Sequence, residues 1–495
     1  MNFRMIKHVL GQILVFETAF LLLPLLVALI YGEWTELFSI LGTMGITLGI
    51  GALFCYKKPS NPRLYAKEGF VIVSMSWILI SAFGALPFVI SGAIPNYINA
   101  LFETVSGFTT TGSSILTDVE ALPRSLLIWR SFANWIGGMG VLVFVMAILP
   151  LSGAQNMHIM KAESPGPDVS KLVPRVKNTA KILYAIYISL TLIQLILLLC
   201  GGMSLFDAAN ASLATAGTGG FGVKNDSMGG YSSYLQVVCT VFMLLFSINF
   251  NSYYLLLKTR FREALNTEVK VFLGIVLVAI SLITANLLGS DNSTVNGFWD
   301  ALKHASFTVA SMISTCGFAT VDFDLWPQLS RTILGVLMFV GACAGSTGGG
   351  FKVSRLVILS KGASREMQTR LHPRQVKKLT LDGRRLDHEL VRTVNAYLVI
   401  YFMVFVVSLL LISFDPYAPA VNSATGLTMN EGVTNFTAVA SAVNNIGPGL
   451  DMVGPTANYA FFSPFSKIVL IFDMLAGRLE LIPMLLLFSP STWKR

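Results

Sequence analysis

The chain has few charged residues and few of the groups from which soluble active sites are built. Only 12% of its 495 residues are charged, whereas a soluble domain has about a quarter. The five cysteines and five histidines are dispersed and show no metal-ligand spacing, which argues against a zinc site or a disulfide framework. The short alternating segments of a transmembrane barrel are missing. No convergent Asp, Glu, His or Ser cluster indicates catalysis, so the sequence predicts that the protein is not an enzyme.

Long apolar runs are the dominant feature that is present. Apolar residues make up 54% of the chain, and runs of about 18 residues or more recur along its length. They predict an all-α polytopic membrane protein. The first run follows Arg4 and Lys7 but is too long for the core of a signal peptide. About ten transmembrane helices are predicted, at 9–31, 36–56, 69–92, 126–150, 179–201, 232–257, 269–289, 328–360, 391–413 and 464–488.

Membrane topology accounts for the formal net charge of +9. Lysine and arginine cluster in alternate loops, most densely in 361–392, while the opposite loops are mainly acidic. The positive-inside rule then places both termini in the cytoplasm, and no nucleic-acid partner is needed to explain the charge. The acidic loops either simply lack the positive bias or concentrate cations at an entrance.

Four segments of similar composition lie between the later spans. Each is rich in small and hydroxyl residues, reaches a glycine near its end, and overlaps or follows a stretch of helical character. The segments are 105–112, 211–221, 310–318 and 440–448, and the helical stretches are 98–109, 205–213, 299–313 and 431–443.

We interpret each segment as a short helix that enters the membrane partway, followed by an extended return. Irregular backbone at membrane depth is tolerated only where it is buried in protein or lines a wet cavity. The negative end of each helix dipole would face the membrane interior and favour a cation. Backbone carbonyls of four such segments could then replace the hydration shell of the cation. The alternative is four ordinary loops with glycine turns.

This pattern divides the chain into a hairpin and four units. The predicted divisions are an N-terminal two-helix hairpin at 1–62, a first helix–pore–helix repeat at 63–152, a second at 175–262, a third with a glycine-rich gating loop at 266–362, a basic cytoplasmic loop at 363–387 and a fourth repeat at 388–495.

The four segments resemble the filter segments of the Trk/Ktr/HKT superfamily of cation transporters, and the resemblance covers essentially the whole chain. The extra N-terminal hairpin is typical of the TrkH-type branch. The resemblance implies four units arranged like a potassium channel in a bacterial inner (plasma) membrane. In plant relatives a serine at the first filter position goes with sodium selectivity, so Gly112 implies potassium.

The resemblance also assigns the potassium-binding residues. In the second segment several glycines compete, and Gly220 is preferred because it precedes Phe221 as Gly317 precedes Phe318. The implied filter consists of Thr110, Thr111, Gly112, Thr218, Gly219, Gly220, Thr315, Cys316, Gly317, Asn445, Ile446 and Gly447.

The eighth predicted span is interrupted by a glycine-rich stretch, and we call residues 341–352 the glycine loop. A nucleotide-binding P-loop does not fit, because Gly350 is followed by Phe351 where that motif needs a lysine. A close helix–helix packing surface remains one reading, and a broken helix beneath the third filter segment is the other. The resemblance implies the second, a gate formed by Gly345, Ser346, Thr347, Gly348, Gly349, Gly350 and Lys352.

Charged residues inside predicted spans are candidates for function, because they are costly in a membrane. Arg478 and Glu480 are only two residues apart, which turns them to different sides of a helix. The resemblance implies that Arg478 reaches toward the pore below the filter and belongs to the gate. The alternative is a salt bridge that holds the spans together. Arg130 is predicted to be structural.

The basic loop after the glycine loop is a candidate for binding anionic lipid or a cytoplasmic regulator. The resemblance implies a transporter homodimer docked on a TrkA-like ring of nucleotide-binding subunits. No cofactor is predicted for this chain, and ATP, ADP or NAD is expected on the regulatory partner.

The prediction is therefore potassium uptake through a four-segment filter that is gated by the glycine loop. Two alternatives remain open at this point. One is a symporter that couples potassium to protons or sodium, since broken helices and repeats also occur in transporters. The other is a sodium-permeable member of the same family.

Overall fold

The computed structural model describes residues 1–57, 65–140, 176–290, 295–372, 379–417 and 430–493. These residues are mainly helical, which confirms the predicted all-α membrane fold class. The strands among them form one small antiparallel hairpin, in which Thr380–Leu381 pairs with Arg384–Arg385. Six helical stretches in these ranges are long and apolar enough to cross a membrane: Phe3–Tyr31, Trp34–Cys55, Lys67–Ile90, Lys181–Cys200, Thr267–Leu288 and His388–Ile412.

Three helices at the N-terminus, Phe3–Phe20, Leu22–Tyr31 and Trp34–Cys55, form a hairpin that packs through small residues. A Cβ atom added to Gly11 would lie 2.8 Å from the carbonyl oxygen of Gly51, so the two helices touch backbone to backbone. Further along, the hydroxyls of Thr18 and Thr47 are 2.9 Å apart and share a hydrogen bond. Close approach at small residues is a usual basis of helix association in membranes.

The remaining chain repeats one arrangement four times: a leading helix, a short pore helix and an inner helix. The units are Ala66–Gly84 with Leu86–Ile90, Tyr97–Phe108 and Arg124–Met139; Val176–Cys200, Leu205–Gly217 and Ser233–Ser247; Thr267–Leu288, Phe298–Ser314 and Gln328–Val340; and His388–Ile412, Glu431–Asn444 and Pro464–Arg478. Shorter or connecting helices lie at Phe250–Leu257, Phe261–Ala264, Phe323–Leu325, Val353–Leu371, Asp451–Val453, Ile482–Phe488 and Pro490–Trp493.

Each pore helix lies within a few residues of the helical stretch predicted for it. Three of the four begin at a side-chain cap, because the side-chain oxygens of Asn96, Ser204 and Asn430 accept hydrogen bonds from backbone N–H groups of the first turn. Such residues satisfy donors that a helix start leaves unpaired. The third pore helix instead follows Gly297, whose φ is +94°.

The inner helices are shorter than predicted. The predicted span 232–257 is two helices that meet at an angle of 91°. The predicted span 464–488 is divided at Glu480 and Leu481, whose φ angles are +62° and +61°. The third inner helix ends at Gly341 as predicted, and residues 141–150 of the first lie outside the described residues.

Replacement of Gly11 by leucine should separate the first and third helices of the hairpin. The added side chain meets the Gly51 carbonyl and Phe54, so we expect a loss of about 1–3 kcal/mol, typical of overpacking. Thermal unfolding in detergent measures the effect. Gly42→Leu is the matched control, because no atom lies within 4 Å of a Cβ there. Equal destabilisation by both variants would contradict the packing argument.

Candidate functional site

The chain follows one backbone path at the end of all four pore helices. A residue with positive φ comes first, and a glycine with positive φ follows two residues later. The first positions are Thr110, Thr218, Thr315 and Asn445, with φ between +54° and +60°, and the glycines are Gly112, Gly220, Gly317 and Gly447, with φ from +67° to +104°. We call 110–112, 218–220, 315–317 and 445–447 the filter segments. The second segment thus has the same backbone register as the others when Gly220 is its glycine.

The filter segments form a closed ring. A Cβ atom added to Gly112 would lie 2.1 Å from the Gly219 carbonyl oxygen, and one added to Gly220 would lie 1.9 Å from that of Cys316. The ring continues from Gly317 to the carbonyl oxygen of Ile446 at 2.2 Å and closes from Gly447 to that of Thr111 at 2.8 Å. Each contact joins one segment to the next, so the four segments surround a single axis. Any side chain at these glycines would collide with a neighbouring backbone.

Most carbonyl oxygens of the ring lack a hydrogen-bond donor. Within the described part of the chain, donors reach the Gly447 oxygen from Ser113, Ser441 and Tyr459, but none reaches the carbonyl oxygens of the other eleven filter residues. Buried carbonyl groups are almost always paired. Unpaired oxygens at the negative ends of four pore helices therefore make a site suited to a dehydrated cation.

The loops that follow the filter segments join neighbouring units in the same cyclic order. The Asn225 side chain donates to Asp118 at 2.8 Å, and this hydrogen bond lowers the pKa of the Asp118 carboxyl. The other three junctions use backbone N–H donors: Met228 to the Ala319 carbonyl, Asp451 to the Asp324 carboxylate and Tyr459 to the Ser114 carbonyl. The four units are thus joined in the loops beyond the filter as well as in the ring of filter segments.

A buried ion pair supports the first two filter segments, as predicted for Arg130. The Arg130 guanidinium lies 2.8 Å from Glu103 of the first pore helix, and both side chains are almost fully buried. The same Glu103 carboxylate accepts the N–H of Ile115 at 3.0 Å. Arg130 also stacks 4.1 Å from the centre of the Phe221 ring, directly after the second segment. The pair thus fixes the backbone on both sides of one junction of the ring.

The glycine loop lies against the carboxyl ends of the third and fourth pore helices. A Cβ at Gly348 would be 2.8 Å from the Ser314 carbonyl oxygen, and one at Gly349 would be 2.5 Å from that of Asn444. The N–H of Gly349 donates to the Thr315 hydroxyl at 2.6 Å. Thr315 is itself a filter residue, so the loop is bonded directly to the ring.

The loop is also tied to the broken inner helix of the second unit. The N–H groups of Cys343 and Thr347 donate to the carbonyls of Ser247 and Phe246, at 3.1 and 3.3 Å. In the other direction, the carbonyl of Gly345 accepts the N–H of Phe250 at 3.0 Å. The carbonyls and N–H groups freed where the inner helix bends are thereby satisfied, which explains why the bend and the loop occur together.

Charged side chains complete the site. The ammonium group of Lys352, whose φ is +80°, donates to the Gly348 carbonyl and so folds the loop on itself. Arg478 donates to the Thr347 carbonyl at 2.9 Å and to the Gly137 and Gly138 carbonyls at 2.5 and 2.7 Å. It therefore bridges the loop and the first inner helix.

Glu480 forms an ion pair with Arg355, at the start of the helix that follows the loop. This agrees with the argument from spacing. The salt bridge of the last predicted span therefore joins it to the helix Val353–Leu371.

Several residues of the site were not identified from the sequence. Glu268, whose carboxylate accepts N–H groups of Ala344 and Ser354, was not singled out. The hydroxyls of Ser311 and Ser441, which bond to the carbonyls of Phe318 and Gly447, were part of the recognised pattern but had no assigned role. The available signal was that each serine lies six residues before the glycine of its filter segment, Gly317 or Gly447.

The comparisons with known proteins agree with this geometry. The TrkH family profile, described as a cation transport protein, matches residues 36–495. The chain is 35% identical to the Trk system potassium uptake protein TrkH of Salmonella typhimurium and 34% identical to that of Escherichia coli strain K12, over 100% of each chain. The crystal structure of the potassium transporter TrkH from Vibrio parahaemolyticus matches with a TM-score of 0.85 and 32% identity, over 100% of both chains.

Removal of Arg130 should destabilise the protein strongly. Arg130→Met leaves the Glu103 charge buried without its cation, which costs about 3–5 kcal/mol. Arg260→Met is the matched control, since its ion pair with Glu263 is exposed and contributes no more than about 1 kcal/mol. Thermal unfolding in detergent compares the two. If both variants unfold at the same temperature as the wild type, the Glu103–Arg130 pair does not support the filter.

Proposed function

This chain belongs to the TrkH family of cation transport proteins, and we propose that it takes up potassium through the four filter segments under the control of the glycine loop. The observation that carries the proposal is the closed ring of glycines, each packed against a carbonyl oxygen of the next segment. Most of these oxygens have no donor within the described chain, and a cation is the partner that four such segments can share.

Potassium is favoured over sodium by two observations. The relatives at 34–35% identity are named potassium uptake proteins. Glycine also stands at all four equivalent positions, and any larger residue would press on a neighbouring carbonyl and change the size of the ring. We propose that the filter residues bind potassium as the transported ion and that the chain itself holds no cofactor.

The gate is proposed to be the glycine loop with Arg478. The loop lies across the carboxyl ends of two pore helices. We therefore place it on the path of an ion that has left the filter. The guanidinium of Arg478 donates to the Thr347 carbonyl and so holds a positive charge next to that path. A positive charge opposes a passing cation. Conduction therefore requires the loop to move away from the pore helices and Arg478 to leave the Thr347 carbonyl.

A cytoplasmic regulator would act through the helix Val353–Leu371. This helix begins directly after Lys352, the last residue of the loop, so a force on the helix reaches the loop without an intermediate element. The lysines and arginines concentrated in alternate loops between the spans favour a cytoplasmic location for this helix and for both termini. We propose that the transporter works as a homodimer with a TrkA-like nucleotide-binding partner, which would bind ATP, ADP or NAD, and that it lies in a bacterial inner membrane.

The test of the proposed function is ion flux into liposomes that contain the purified chain alone. We expect uptake of potassium and rubidium, with much less sodium and lithium, when no proton or sodium gradient is imposed. Flux that appears only with such a gradient would establish a coupled symporter instead. Equal flux of all four ions would show that the ring is not a selective filter.

Serine at a filter glycine should lower the preference for potassium. At Gly317 the new Cβ would press on the Ile446 carbonyl, 2.2 Å away, and at Gly112 on the Gly219 carbonyl, 2.1 Å away. We expect the potassium-to-sodium flux ratio of Gly112→Ser and Gly317→Ser to fall by about tenfold or more, since a shift of about 1.4 kcal/mol suffices. Gly335→Ser is the control, because nothing lies within 4 Å of a Cβ there. Unchanged ratios in both filter variants would refute the assignment.

A further inference from the structure

One carboxylate bonds to the glycine loop near its start and to the helix directly after its end. Glu268 lies in the first turn of the third leading helix, Thr267–Leu288, and its side chain is buried. A single oxygen, Oε1, accepts the N–H of Ala344 at 2.7 Å and the N–H of Ser354 at 3.1 Å. We propose that Glu268 is a positioning residue that clasps the loop closed and must release it when the gate opens. This inference rests on the proposed role of the loop as the gate.

The clasp acts where the two ends of the loop already meet. The N–H of Val353 donates to the Ala342 carbonyl at 3.2 Å, so the start of the loop adjoins the residue that follows its end. Glu268 approaches this junction from a different helix and adds two hydrogen bonds to a charged acceptor. Charge-assisted bonds are about twice as strong as neutral ones. Because the site is buried, loss of the carboxylate leaves two N–H groups without that acceptor, which favours a rearranged loop.

Other contacts hold the middle of the loop rather than its ends. Thr347 bonds to the second inner helix and to Arg478, and Gly349 bonds to Thr315 of the filter. These bonds fix where the loop lies below the ring. Glu268 instead fixes the distance between Ala344, near the start of the loop, and Ser354, just after its end. A loop that moves aside changes that distance, so the clasp opposes this movement more directly than the other contacts do.

The small strand hairpin positions the clasp from the side of the basic loop. Asp382, in its turn, accepts the N–H of Thr267 at 2.8 Å and the Thr267 hydroxyl at 2.6 Å. Thr267 is the residue immediately before Glu268. The ammonium of Lys361 also donates to the Thr380 carbonyl at 2.9 Å, which joins the hairpin to the helix after the loop. Displacement of this hairpin therefore shifts the clasp, and a bound protein could open the loop in this way.

Rubidium flux into liposomes tests the clasp with three variants of the full chain. We expect Glu268→Ala to raise flux by about tenfold or more and Glu268→Gln to raise it less, since the amide still offers a neutral oxygen. Asp382→Ala should raise flux by a smaller factor. Asp382 is exposed, so the fold should tolerate this replacement. Glu263→Ala is the control, because that exposed carboxylate precedes the clasp without contacting the loop. The rubidium-to-sodium ratio should stay unchanged, whereas a damaged filter would lower it.

A second readout follows the loop itself. Cys343 is fully buried beside Ala344, and Cys239 is equally buried in the second inner helix. Thiol alkylation, resolved by peptide mass spectrometry, should label Cys343 faster in Glu268→Ala and leave the slow labelling of Cys239 unchanged. Faster labelling of both thiols would show general loosening and would overturn the proposal.

The two readouts separate failure of the clasp from failure of the gate. Faster labelling of Cys343 with unchanged flux would show that Glu268 holds the loop but that the loop is not the gate. Unchanged labelling and flux in Glu268→Ala would overturn the clasp. In that case, deletion of one residue from 348–350 tests the gate separately. If this deletion raises flux, the glycine loop is still the gate although Glu268 does not hold it.

Discussion

The structure depends on buried backbone carbonyl groups of the filter segments, most of which accept no hydrogen bond from the described residues. Such groups are costly in a low-dielectric interior, so a fold that keeps them must collect them around an ion or water. The ring of filter segments does this with glycine, because each glycine leaves space for the carbonyl of the next segment. Four segments are needed to close the ring, which explains why the chain repeats a helix–pore–helix unit four times. The Glu103–Arg130 pair and the hydrogen-bonded loops beyond the filter hold this backbone in place, although most of its carbonyl oxygens have no donor among the described residues.

A ring built from one polypeptide need not be symmetric, and this one is not. The Gly447 carbonyl accepts three donors, while its counterparts in the other segments accept none within the described chain. Below the ring, the glycine loop contacts the third and fourth pore helices, and Arg478 reaches across to the first inner helix. Asymmetry allows one short loop to contact two of the four units and, through Arg478, to be bridged to a third. An identical loop in each unit would need four times the space at the same depth.

The sequence was most informative where the structure depends on local chemistry. Small and hydroxyl residues before a glycine predicted all four pore helices to within a few residues, and the placement of Gly220 before Phe221 predicted the register of the second segment. It was least informative where remote segments meet. The bend near Asn249 satisfies its backbone groups through the glycine loop, and Glu268 bonds to Ala344, 76 residues away. The apolar pattern of a span does not reveal which distant residues bond to it. It therefore predicted an unbroken span at 232–257 and gave Glu268 no role.

The filter and the glycine loop are not independent, because Thr315 belongs to both. Its backbone adopts the positive φ that begins the third filter segment, while its hydroxyl accepts the N–H of Gly349. Movement of the loop removes that hydrogen bond next to the carbonyl of Cys316, whose oxygen contacts Gly220 of the neighbouring second segment. By the reciprocity of linked equilibria, an ion that stabilises the ring in its closed-loop geometry also stabilises the loop, and a partner that moves the loop changes the affinity of the ring for the ion. Under the proposed function, ion occupancy of the ring and the position of the glycine loop are therefore expected to be thermodynamically coupled through the Thr315 hydroxyl.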